Sequence, residues 1–227
     1  DMTPPGAPAA PPPGPARAPS GPGGTASGPA EPDPRRSLGL APRFAPDVLL
    51  CAQGRGQGIR AAVFDVDGVL TDGTLYIGEQ GEVFKAFHVL DGHGLKLLAQ
   101  AGIEPLIVTG RDSAAVRRRV ADLGLTHAVY GAKDKLAQAT ALLRTLGVDW
   151  PQVAVIGDDW PDLPLLARAG FACAPANAHP DVRAAVDHVT EARGGQGAAR
   201  EFCDLLLMAA GRYGALLQGQ LTTLDAR

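Results

Sequence analysis

An apolar run, Ala61-Ala62-Val63-Phe64, stops abruptly on Asp65-Val66-Asp67-Gly68, and no other stretch narrows the folding options of this chain as much. Such a run reads as a buried strand that delivers carboxylates to a loop. Residues two apart leave a strand on the same face, so Asp65 and Asp67 can address one site, and Gly68 lets the backbone turn close to a ligand. Alone, Asp-x-Asp-Gly is also what an ordinary strand-end turn looks like. A second run, Val153-Ala154-Val155-Ile156, ends in the same chemistry, Gly157-Asp158-Asp159-Trp160-Pro161-Asp162.

Between and around these runs the pattern alternates. A short helix over Pro46 to Ala52 leads into the first strand. Thr74 to Gly78 and Glu82 to Val89 are β-favouring segments separated by Glu-Gln-Gly, which predicts a hairpin arm projecting from the sheet. A helix follows over Gly94 to Ala101. Next come a strand over Glu104 to Val108, a helix over Ser113 to Leu123, a strand over His127 to Tyr130 and a helix over Lys135 to Leu146. After the second acidic strand, Leu163 to Arg168 and Asp181 to Val186 read as helices, Phe171 to Ala174 and Asp187 to Thr190 as strands, and Ala198 to Ala210 as a closing helix. The fold class this predicts is α/β: a Rossmann-like, mostly parallel sheet with helices on both faces and a β-hairpin flap.

In one parallel sheet the carboxyl ends of both acidic strands open on the same edge, where ligands bind in open α/β folds. The acids then converge, and each like-charged pair at about 4 Å costs about 4 kcal/mol at an effective dielectric of about 20. A positive partner is required. A hard divalent cation with oxygen ligands answers the need, and Mg2+ suits carboxylates combined with substrate phosphate. Thr109 and Gly110, at a strand end ahead of a helix, offer a hydroxyl and backbone N–H groups to an anion, although a plain N-cap turn has the same residues. Lys135 reads as a solvated lysine unless the clustered carboxylates claim it. No Walker pattern is present.

The chain has 29 glycines and 20 prolines, and the excess is concentrated before about Arg43, where apolar periodicity is absent. Residues 1–43 are therefore expected to form a disordered Pro/Gly/Ala-rich tail, residues 44–213 one domain, and residues 214–227 a C-terminal tail. The formal net charge of -3 and the lack of a basic block argue against nucleic acid as a partner. No run long enough to span a bilayer and no leader pattern occur, so the expectation is a soluble, cytoplasmic protein with no membrane partner. Cys51, Cys173 and Cys203 are odd in number and widely spaced, which fits neither a disulfide framework nor a zinc site.

Asp65-x-Asp67-Gly68, Thr109-Gly110-Arg111, Lys135 and Gly157-Asp158-Asp159-x-x-Asp162, in this order, resemble the four motifs of the haloacid dehalogenase superfamily phosphatases. Phe87-His88-Val89-x-Asp91-Gly92, Thr109-Gly110-Arg111-Asp112-Ser113 and Gly194-Gly195-x-Gly197-x-x-Arg200-Glu201 are similar, more narrowly, to the capless 3-deoxy-D-manno-octulosonate 8-phosphate phosphatases, over about Asp47 to Tyr213. The resemblance implies Asp65 as nucleophile and Asp67 as acid and then base, with Thr109, Gly110 and Lys135 on the phosphoryl oxygens. It implies Mg2+ held by Asp65, the backbone carbonyl of Asp67, and Asp158, with Asp159 or Asp162 in support. Arg111 and Arg200 become candidate substrate contacts.

The implied substrate is a phosphosugar acid of lipopolysaccharide precursor synthesis, and the implied assembly is a homotetramer in which the hairpins meet. Leu90 and Gln196 stand where members of the narrower family often carry basic residues. A sialic-acid 9-phosphate type of substrate therefore stays open, as does a catalytically silent assembly module. The intervals between Asp67, Thr109 and Lys135 are filled by the hairpin, one helix and one strand-helix unit. They leave no room for a cap domain, so cover for the site is expected from the hairpin, a neighbouring subunit or the substrate.

Overall fold

The strands of the central sheet are short, and the inner four are buried almost throughout while the two edge strands are half-buried, because parallel strands covered by helices on both faces have no solvent side. The computed structural model describes residues 43–54 and 56–222. Strand β1 (Ala61–Phe64) lies between β4 (Glu104–Val108) and β6 (Val153–Ile156). With β5 (His127–Val129), β7 (Phe171–Ala174) and β8 (His188–Val189) they form a six-stranded sheet in the order β5-β4-β1-β6-β7-β8. All of its pairings are parallel. Strands β2 (Tyr76–Gly78) and β3 (Gly81–Phe84) pair antiparallel as a separate hairpin.

Side chains alternate across β1, and so does the core. Ala62 and Phe64 face a cluster with Leu95 and Leu98 of helix α2 (Val89–Gln100) and Phe202, Leu205 and Leu206 of helix α7 (Ala198–Ala209). Phe64 meets Phe202 edge-on at 5.5 Å between ring centres. Ala61 and Val63 face the other cluster, with Leu143 of helix α4 (Lys135–Leu146) and with Leu165, Leu166 and Val182. The chain winds outward through β1, β4 and β5, then returns to place β6 on the other side of β1. This puts the topological switch point between β1 and β6, so the two acidic strands flank the crevice where such sheets bind ligands.

Several boundaries differ from the sequence expectation. Helix α2 starts at Val89 rather than Gly94, since its two glycines serve packing rather than breaking the helix. A Cβ on Gly92 would meet Arg119 at 2.3 Å, and one on Gly94 would meet Cys203 at 3.1 Å. Asp91 secures the early start by accepting from the amides of Gly197 (3.3 Å) and Arg200 (2.8 Å). The hairpin strands are shorter than expected, and the closing tail includes a further helix, α8 (Tyr213–Thr222). The expected tail over residues 1–43 lies outside the described residues, apart from Arg43, and so do residues 223–227.

Candidate active site

Strand register sets the geometry. Phe64 pairs with Ile156, and the Asp65 amide donates to the Ile156 carbonyl at 3.2 Å, so the two acidic loops leave the sheet side by side. Gly68 makes that approach possible. It has φ +95, and a Cβ there would lie 2.0 Å from an Asp158 carboxylate oxygen. Behind the Asp65 loop lies the glycine-rich segment at 194–197. The amide of Gly195 donates to the Val69 carbonyl at 3.0 Å, and a Cβ on Gly194 would lie 1.8 Å from the Gly68 carbonyl oxygen. That segment buttresses the loop from behind. Gln196 and Leu90 are both exposed, and neither lines the cleft in front of it.

The cleft, about 760 Å³, is lined by Asp65, Asp67, Thr109, Lys135, Asp158 and Asp162 among others. Lys135 is buried at the first position of α4, and its Nζ donates to Asp65 Oδ1 at 2.8 Å and to Asp162 Oδ1 at 2.7 Å. Asp134 caps the same helix by accepting from the Ala137 amide at 2.9 Å, which fixes where Lys135 emerges. Burial opposes the charge on Lys135, but Asp65 and Asp162 outweigh it and raise its pKa, so it stays an ammonium. Thr109, 1% exposed, accepts from the Arg111 amide at 3.3 Å, and Gly110 stands beside the Lys135 stem.

Two carboxylates of the crevice, Asp65 and Asp158, are held in an unfavourable state. Burial first, then the charge of Asp162, pushes Asp65 up to about 6 against the pull of Lys135. Burial first, then Asp65 and Asp162, pushes Asp158 up to about 8. Carboxylate oxygens of Asp65, Asp158 and Asp162 lie within 4.8 Å of one another, and Asp158 Oδ1 is buried with no hydrogen-bond partner. A hard divalent cation fits this set: all-oxygen donors, excess negative charge and an orphaned acceptor. Asp162 is already occupied. Its Oδ2 accepts from the amides of Asp158 (3.1 Å) and Asp159 (3.4 Å), and its Oδ1 takes Lys135.

The neighbouring acids separate. Asp159 is exposed and turns its carboxylate to the Trp160 amide at 2.8 Å, capping a 3-10 turn over Trp160–Asp162. Asp67 faces the hairpin. Its Oδ1 accepts from Lys85 Nζ at 2.5 Å, and Arg111 Nε lies 3.8 Å from its Oδ2. Arg200 does not line the cleft. Its Nε donates to Asp204 at 2.7 Å, and Arg43 joins the same buried carboxylate. Lys85 and Glu82, which the sequence reading passed over, close the hairpin onto Asp67.

Residues 129–202 match the family model of the haloacid dehalogenase-like hydrolases. The chain is 44% identical over 158 residues to 3-deoxy-D-manno-octulosonate 8-phosphate phosphatase KdsC of Escherichia coli K12, covering 70% of this chain and 84% of that protein. The chain belongs to this phosphatase family.

Solved structures of the family agree. The Moraxella catarrhalis 3-deoxy-D-manno-octulosonate 8-phosphate phosphatase, in complex with magnesium ion, phosphate ion and KDO, superposes with a TM-score of 0.72. It is 39% identical, over 78% of this chain and 99% of that one. The cobalt-bound Haemophilus influenzae enzyme superposes with a TM-score of 0.67 at 45% identity, over 68% and 91%. The Rossmann-like parallel sheet flanked by helices is the frame this chain shares with those structures.

Proposed function

We propose that the chain is a Mg2+-dependent phosphatase that hydrolyses 3-deoxy-D-manno-octulosonate 8-phosphate to the free sugar acid and phosphate, supplying the sugar acid of lipopolysaccharide. The convergence of Asp65, Asp158 and Asp162 at the β1–β6 crevice, with the buried Lys135 bonded to Asp65 and Asp162 and with Asp67 lining the same cleft, carries this reading. The family relatives supply the substrate class.

Mg2+ would be held by carboxylate oxygens of Asp65 and Asp158 and the backbone carbonyl of Asp67, with Asp162 in support. When bound, the ion neutralises charge on the phosphoryl oxygens and on the crowded carboxylates. Lys135 holds Asp65 by Oδ1, which leaves Oδ2 to attack phosphorus. As the bond to the sugar oxygen breaks, Asp67 gives that oxygen its proton. Thr109 Oγ1, the Gly110 amide and Lys135 Nζ hold the phosphoryl oxygens, where charge must be stabilised. Asp67, now a carboxylate, takes a proton from water as the water oxygen attacks phosphorus, and Asp65 is released. Arg111, half-exposed beside Asp67, is placed for the sugar-acid carboxylate.

Phosphate release from a panel of phosphosugars, with and without Mg2+, tests the proposal. The octulosonate phosphate is expected to be the preferred substrate and chelation to abolish its turnover. Preference for a sialic-acid 9-phosphate reassigns the substrate, and equal turnover of hexose phosphates sinks both.

The same reading includes a cytoplasmic homotetramer. Ile77, Val83 and Phe84 on the hairpin are 62%, 66% and 51% exposed, an apolar surface suited to a self-complementary contact. The buried free thiols Cys173 and Cys203 suit a reducing compartment. Replacing Ile77, Val83 and Phe84 with serine is expected to give a smaller species in sedimentation. An unchanged sedimentation coefficient contradicts that role for the hairpin.

A further inference from the structure

The proposed chemistry leaves one buried cation beside the cleft without a task. Lys85 follows directly on β3, and its side chain is 1% exposed. Its Nζ lies 2.5 Å from Asp67 Oδ1 and 3.0 Å from Glu82 Oε2. Glu82 in turn accepts from the hydroxyl of Ser113, which caps helix α3 (Ala114–Leu123). The chain of contacts therefore runs from a helix start, through Glu82 and Lys85 of the hairpin, to Asp67, a cleft acid that is not paired to Lys135.

The far end of that chain is asymmetric. Asp67 Oδ1 is taken by Lys85, while Oδ2 is buried with no hydrogen-bond partner. A carboxylate pinned by one oxygen presents the other in a fixed direction, which proton exchange with a leaving oxygen and then with water requires.

We propose that Lys85 is the positioning residue of Asp67: it holds Oδ1 so that Oδ2 exchanges the proton, and through Glu82 and Ser113 it ties that orientation to the seated hairpin. The inference rests on the hydrolase reading above. It deepens that reading by giving the flap a role inside its own subunit's chemistry.

Pre-steady-state kinetics with 4-nitrophenyl phosphate in Mg2+ test it, since the phenolate leaves without a proton donor while hydrolysis of the aspartyl-phosphate still needs Asp67. Lys85→Met keeps the bulk of the stem and is expected to retain a near-wild-type burst of nitrophenolate. Its steady turnover should then fall by about tenfold to a hundredfold, part of what general acid–base catalysis supplies. With an alkyl phosphate, its burst should be lost as well. Lys85→Arg should restore most of the turnover, and Glu82→Gln should fall between, carrying the same comparison if Lys85→Met does not fold. A burst that falls together with turnover overturns the positioning role, because general damage to the site acts on both. Turnover of the wild-type rate in Lys85→Met overturns it too. A wild-type protein inert toward every phosphomonoester overturns the hydrolase reading itself, and this inference with it.

Discussion

Asp65→Asn yields a folded protein that releases no measurable phosphate, a loss of about 10⁴-fold or more, as expected for a missing nucleophile. Asparagine keeps the volume of the side chain and an oxygen that can accept from Lys135, which also stays paired to Asp162 at 2.7 Å. The site therefore does not collapse around an unpaired ammonium. Removing one of three crowded carboxylates relieves the repulsion that drives Asp158 upward, so the metal-free variant should melt no lower than the wild type. Phosphate release and a thermal melt on the same preparation decide the matter. Wild-type-like turnover, once mass spectrometry has excluded deamidation back to aspartate, sinks the assignment.

Mg2+ affinity rises steeply between about pH 6 and about pH 8, by up to about tenfold per unit for each proton displaced. Asp158 and Asp65 bind protons more tightly in the folded, metal-free protein than in the unfolded chain, where an aspartate titrates at about 3.9. Their protonation stabilises the fold. That contribution is fully present below the unfolded value and is lost as pH rises through about 6 and then about 8. The metal-free protein is therefore expected to lose stability across this window, while the ion, competing with the same protons, stabilises it most at the upper end. Calorimetric titration in buffers of different ionisation heat measures both the affinity and the protons released. Asp158→Asn should flatten the dependence, and an affinity indifferent to pH in the wild type contradicts the role given to these carboxylates.

The parts of the site that could be read from the sequence are those set by one strand end at a time. Asp65, Asp67, Asp158, Thr109 and Gly110 follow buried runs whose register carries them to one edge, so a linear pattern is enough to group them. Lys135 was legible only because converging acids need a cation; its own surroundings, Lys133 and Asp134, look like an ordinary helix start. What decides between Asp159 and Asp162 is a single 3-10 turn, which sends one carboxylate out to the Trp160 amide and folds the other back onto Lys135. Adjacent acids of the same type carry no local mark of that choice. Lys85 and Glu82 reach Asp67 only because the hairpin folds back over the cleft, a contact that no periodicity within a three- or four-residue strand encodes. Arg200 shows the opposite case: its motif sits close to the glycine-rich loop in sequence, while Asp204, one helical turn on, holds the guanidinium away from the cleft of its own chain.

The central claim, that Asp65 takes the phosphoryl group, is tested most directly by chemical trapping. Wild-type protein is mixed with 3-deoxy-D-manno-octulosonate 8-phosphate and Mg2+, quenched in acid within a single turnover, reduced with borohydride and mapped by peptide mass spectrometry. The account predicts homoserine in place of Asp65 and no reduction at Asp67 or Asp158. Reduction at either of those positions, or phosphate release with no reducible acyl-phosphate anywhere in the chain, contradicts it.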